Sequence, residues 1–125
     1  MTAVPMTSVG VDIEDVHRFK SLVQNARFMK RVFTPKEISY CRSRKNKLQH
    51  FAARFAAKEA VWKALSEQLA RKKIHLSHTD IGVENDLSGK PRVTLPKKHA
   101  PLAKKISLSL SHTRSAVVAV ALVCG

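Results

Sequence analysis

The sequence predicts an α+β fold, a small single domain over residues 1–125 with an antiparallel sheet packed against one long helix. Three observations predict it: a β-branched strand pattern near the N-terminus, helical spacing through the middle, and alternating strand patterns at the end. A chain of 125 residues has room for one compact core, burying roughly two-thirds of its unfolded surface. No repeat, low-complexity segment or linker divides it.

In SVGVDI, Val9, Val11 and Ile13 alternate with Gly10 and Asp12, which predicts a core strand. In the following segment Val16, Phe19, Leu22, Val23 and Ala26 fall at helical spacing, leaving Arg18, Lys20, Arg27, Lys30 and Arg31 on an exposed basic face. Thr34-Pro35-Lys36-Glu37 places a Thr cap, a Pro at the first helical position and a Glu three residues after the cap, which announces a short helix. The basic RSRKNK stretch is a loop or a frayed turn. The longest helical signal follows, from about His50 to Leu69. ARKKIHLSHTD reads as an irregular connection, and IGVEN and RVTL as a hairpin joined by a Gly-containing loop. Lys97 to Lys105 reads as a short helix. ISLSLSH then alternates strictly, SHTRS turns, and AVVAVALV returns as a strand buried on both faces.

The long helix separates into two faces. Phe51, Phe55, Val61, Trp62, Leu65 and Leu69 form a bulky stripe expected to bury against the sheet, while Ala52, Ala56, Glu59, Ala60 and Lys63 form a face of small residues with one carboxylate and one amine. By itself, Glu59 with Lys63 four positions on is an ordinary exposed pair worth about 0.3 kcal/mol. Lys58 points into the bulky stripe, where its amine must snorkel or find a partner.

Lys and Arg outnumber Asp and Glu by 23 to 9, a formal charge of +14, so the partner should be negatively charged. Nucleic acid, an anionic membrane surface, or an acidic protein with a phosphate-bearing small molecule all satisfy that charge. With one Tyr, one Trp and no stacking-platform pattern or glycine-bearing clamp motif, RNA binding stands as the alternative reading rather than the first. No run of about 18 apolar residues spans a bilayer, and MTAVPMTSVGVD lacks the charged start and long apolar stretch of a secretory signal, so a cytoplasmic protein is expected. Cys41 and Cys124 lie far apart in no metal-ligand pattern and read as reduced thiols. His75 and His78, three apart, lack a third ligand.

RFAAKEAVWKA, from Arg54 to Ala64, resembles the signature helix of the holo-acyl carrier protein synthase family, the small 4′-phosphopantetheinyl transferases. VGVDIEDVHR, DIGVENDLSGKPRVTL and SLSHTRSAVVAVALV match further family patterns in the same order, so the resemblance runs from Val9 to Val123. It departs in one place: many members carry a glycine-rich loop after the signature helix, whereas this chain has no glycine between Lys63 and Gly82.

The resemblance implies the 4′-phosphopantetheinyl transferase fold and transfer of phosphopantetheine from coenzyme A to a serine of an acyl carrier protein, releasing adenosine 3′,5′-bisphosphate. It assigns Asp12 and Glu59 to Mg²⁺. A hard cation with few protein carboxylates completes its shell with waters and substrate phosphates, which makes that assignment physically sensible. Read without the family, Asp12 is equally a helix cap, and Glu14, a weaker ligand candidate, is a helix-start acid. Lys63 is implied at the coenzyme A pyrophosphate, with Arg54 and His112 near the phosphates of the nucleotide half. Without the family, His112 is a turn histidine. Glu59, Asp12 or a water on the metal are alternatives for the base that takes the serine proton. Arg18 is implied as a carrier-protein contact on the basic first helix, with Arg27, Lys30 and Arg31 as additions of our own. A homotrimer with a bulky apolar surface on the isolated chain completes the expectation; nucleic acid and membrane partners are not expected.

Overall fold

The computed structural model describes residues 7–125; the first half of the stretch read against a secretory signal lies outside the described residues. Strand β1 (Thr7–Asp15) is followed by a single tight turn and then by two short helices, α1 (Phe19–Leu22) and α2 (Ala26–Val32). Helix α3 (Pro35–Ser43) and the 26-residue helix α4 (Lys47–Lys72) come next. Strands β2 (Gly82–Asn85) and β3 (Pro91–Thr94), a short helix α5 (Ala100–Ala103), and strands β4 (Ile106–His112) and β5 (Ala116–Cys124) complete the chain. The sheet order is β1-β5-β4, antiparallel throughout, and β2 pairs with β3 as a separate antiparallel hairpin.

The expected α+β architecture is present, with α4 across β1 and β5. The capping box at Thr34 is formed: its hydroxyl accepts from Glu37 N at 3.1 Å, and Glu37 accepts from Thr34 N at 2.9 Å. The first helical stretch is not one helix, because Asn25 turns extended and caps α2 by accepting from Phe28 N at 3.1 Å. Arg18, Lys20, Arg27, Lys30 and Arg31 are all exposed, as read.

Further expectations are overturned, these concerning which face is inward. In β1 the inward face carries Gly10, Asp12 and Glu14, while Val9 and Ile13 are 65% and 69% exposed. In β5 only Val117, Ala119, Ala121 and Val123 are buried; Val120 and Leu122 face out, opposite Val11 and Val9 in the register. Period-two alternation separates two faces without saying which one a helix will cover. On α4, Trp62 is 47% exposed rather than part of the core. Nor does the bulky stripe meet the sheet as a whole: Phe51 and Phe55 pack on the rings of Phe33, Phe19 and Phe28 from the α1–α3 side.

The small residues of α4 are what meet the sheet. Ala52, Ala56 and Ala60 are fully buried, and a Cβ on Gly10 would lie 2.0 Å from Ala60 O and 2.7 Å from Ala64 N. Both obstacles are backbone, so only a shift of the helix off β1 makes room. Gly10→Ala should therefore cost about 1–3 kcal/mol by overpacking, read as a lowered chemical-denaturation midpoint; an unchanged midpoint would mean that this contact does not set the helix–sheet distance.

Candidate active site

The close approach at Gly10 brings the inward carboxylates of β1 under the middle of α4. Asp12 Oδ1 accepts from Lys63 Nζ at 3.3 Å, and the same amine donates to Val11 O at 3.1 Å. Lys63 thus reaches across to β1 instead of forming the helical pair with Glu59. Asp12 is no helix cap either, since Asp15 fills that role by accepting from His17 N. Asp12 Oδ2 is buried with no hydrogen-bond partner among the described residues.

Glu14 is buried beside it and pairs with Arg18 at 2.8 Å. Burial first, then the neighbouring Asp12, pushes its carboxyl up to about 7; Arg18 opposes the shift and Glu59 adds to it. Glu14 is therefore more than a helix-start acid. Asp12 and Glu59 both act on Glu14 within one electrostatic neighbourhood, which Arg18 joins through Glu14 and Lys63 through Asp12. The described residues contain no group of three or more side chains spaced to hold a metal ion by themselves. Two carboxylates with an orphaned buried oxygen nevertheless fit a hard cation such as Mg²⁺, which takes most of its shell from water and substrate phosphate.

Arg54 and His112 lie in a second, cationic neighbourhood. Arg54 is buried, with its guanidinium 4.6 Å from the centre of the Tyr40 ring and Nη1 donating to Asn85 Oδ1 at 3.3 Å, while Nε has no partner among the described residues. Tyr40, Arg54 and Asn85 line a cleft of about 400 Å³ that also includes Lys36 and Glu84. His112 is exposed at the end of β4. Burial holds the His50 imidazole below its usual range, and the nearby Arg44, Arg54 and His112 charges lower it further. The sequence-derived residues thus fall into an acidic group around Asp12, Glu59 and Lys63 and a basic group around Arg54 and His112.

Two arrangements went unread in the sequence. Lys58, wholly buried, pairs with Glu37 at 2.8 Å and donates to His78 O at 2.9 Å and Ile81 O at 2.7 Å. The amine that had to find a partner finds three acceptors, and Glu37, which looked like a cap alone, also accepts from Val83 N at 2.9 Å. His78 Nε2 lies 3.8 Å from Glu59 Oε2. Its turn closes as a Ser77–Asp80 capping box, a signal that the Ser-His-Thr-Asp stretch did carry.

The model of the 4′-phosphopantetheinyl transferase superfamily matches residues 8–121. A holo-[acyl-carrier-protein] synthase from Geotalea daltonii is 45% identical over 117 residues, 88% of this chain and 91% of the relative. One from Moorella thermoacetica is 41% identical over 94% of both chains. Among solved structures, a holo-(acyl-carrier-protein) synthase from Bacillus anthracis str. Ames in complex with CoA (3′,5′-ADP) superposes with a TM-score of 0.77. It is 28% identical and covers 98% of this chain and 99% of its own.

Proposed function

The chain belongs to the 4′-phosphopantetheinyl transferase superfamily, and on that premise we propose that it transfers 4′-phosphopantetheine from coenzyme A to a serine of an apo-acyl carrier protein. The observation that carries the reading is the inward placement of Asp12 on β1 in contact with Lys63 of α4, with Glu59 in the same electrostatic neighbourhood, in a chain matched by named synthases over about nine-tenths of its length. The nucleic-acid reading of the +14 charge finds no support among those relatives.

In the reaction the serine oxygen forms a bond to the β-phosphorus of coenzyme A, the bridge to the α-phosphate breaks, and adenosine 3′,5′-bisphosphate leaves as the serine proton is taken up. Asp12 and Glu59 would hold Mg²⁺, which when bound supplies positive charge to the phosphate oxygens. Lys63, already fixed to β1 through Val11 O, presents a cation beside that position and offsets charge that grows on the departing phosphate. Arg54 and His112 would receive the phosphates of the nucleotide half, supported by the cationic neighbourhood around His50. Arg18 is 56% exposed even while paired with Glu14, and with Lys20, Arg27, Lys30 and Arg31 gives an acidic carrier protein a basic face to meet.

The outer face of the sheet supports a homotrimer. Exposed Val9 and Val11 stand opposite exposed Leu122 and Val120, and exposed Ile13 opposite the half-buried Val118, forming an apolar strip larger than scattered surface residues explain. Sedimentation equilibrium should return three chains; a monomer at micromolar concentration would overturn it. No helix among the described residues is long and apolar enough to cross a membrane.

Intact-mass spectrometry of an apo-acyl carrier protein incubated with the protein, coenzyme A and Mg²⁺ tests the function. A gain of one phosphopantetheine, abolished by a chelator, is expected. No gain with several apo carriers would overturn the transferase reading, and a gain that survives the chelator would overturn its metal dependence.

A further inference from the structure

We infer that His78 is a positioning residue for Glu59, holding one carboxylate oxygen so that the other faces the divalent cation; this rests on the reading of Glu59 as a metal ligand. Three constraints fix the imidazole. Its backbone is clamped to α4, because the buried Lys58 amine donates to both His78 O and Ile81 O while pairing with Glu37. The turn that carries it is closed on itself, with Ser77 N donating to Asp80 Oδ2 at 2.9 Å and the Ser77 hydroxyl donating to the same oxygen at 3.0 Å. The ring plane is set by Phe55, which it stacks on at 11° with centroids 5.8 Å apart.

What remains free is the edge of the ring, and that edge faces Glu59. Nε2 lies 3.8 Å from Oε2, beyond hydrogen-bond length, and active-site contacts of this kind tighten when ligand arrives. Both groups line a cavity of about 200 Å³ whose other walls are Trp62, Leu76 and Ile81. Trp62 carries a ring N–H as well, so the assignment to His78 rests on the 3.8 Å approach of its Nε2 to Glu59 Oε2. A neutral imidazole with its hydrogen on Nε2 suffices, so the role needs no change in ring charge. Partners that orient a ligating side chain in this way typically change metal affinity about tenfold to a hundredfold when removed.

The test measures Mn²⁺ affinity of the full chain by electron paramagnetic resonance, with adenosine 3′,5′-bisphosphate present, alongside kcat and KM for coenzyme A. His78→Phe keeps the stack on Phe55 and removes the donor. It should weaken Mn²⁺ about tenfold to a hundredfold and lower kcat, with KM nearly unchanged. His78→Gln, which restores an N–H donor, should recover most of both. Should the Phe variant fail to fold, His78→Ala replaces it with the same expected weakening. Wild-type Mn²⁺ affinity in the Phe or Ala variant would overturn the inference while leaving Glu59 as a ligand. Wild-type affinity in Glu59→Ala would instead overturn the ligand reading, and the inference with it.

Discussion

Glu59→Gln should lose about a thousandfold in the rate of adenosine 3′,5′-bisphosphate release while keeping the fold. The size follows from the several kcal/mol that a bound cation contributes to charge developing on a transferring phosphate, at about 1.4 kcal/mol per tenfold in rate. The fold should survive because Glu59 holds nothing together: it is half-buried, and among the described residues its one contact with a basic side chain within 4 Å is His78 Nε2 at 3.8 Å. Amide and carboxylate are nearly the same size, so the cavity that Glu59 lines with Trp62 and Ile81 keeps its shape. Release rates and circular dichroism on the same sample separate the two effects. A variant within tenfold of wild type would mean that Glu59 is a bystander.

Lys58→Met should have the opposite profile, with a large loss of stability first and a loss of activity that follows from it. The side chain is 0% exposed, and its amine satisfies Glu37, His78 O and Ile81 O together. Burial holds that amine below its usual range, and the Glu37 carboxylate pushes back and favours the charged form. Removing the cation leaves a buried carboxylate without a counter-charge, a change that costs about 3–5 kcal/mol. The double variant Lys58→Met/Glu37→Gln should be more stable than Lys58→Met alone, since it removes the stranded charge. Urea denaturation of both checks this. If the double variant is no more stable than the single one, the penalty comes from lost packing and not from the ion pair.

The contrast shows what the sequence could and could not disclose. Where local chemistry writes an element it was legible: the Thr34 box, the Ser-Gly-Lys-Pro loop and the alternation in ISLSLSH each appear as read, whereas the break at Asn25 that splits the first helical stretch was not. Orientation was not legible. Val9, Val11 and Ile13 look like core residues in isolation, and only the placement of Ala60 against Gly10 shows that α4 lies on the other side of β1. That placement puts Asp12 and Glu14 inward, against the usual polarity of a strand, as happens where function overrides burial.

The site was half legible for the same reason. Asp12, Glu59 and Lys63 were found through the family resemblance, and the structure brings Asp12 and Lys63 into contact and Glu59 into the same electrostatic neighbourhood. Glu37 and Lys58 lie 21 positions apart, and no periodic pattern links a cap to a helix-interior lysine. His78 was weighed only as a metal ligand with His75, because its stacking on Phe55 and its edge toward Glu59 exist only after the chain has folded.

The carboxylate site is tested most directly by an anomalous difference map from a crystal of the protein soaked with Mn²⁺ and coenzyme A. A Mn²⁺ peak is expected in contact with the carboxylates of Asp12 and Glu59 and with a phosphate oxygen of the nucleotide. Coenzyme A bound in full occupancy, with the peak elsewhere or with no peak at all, would contradict that placement.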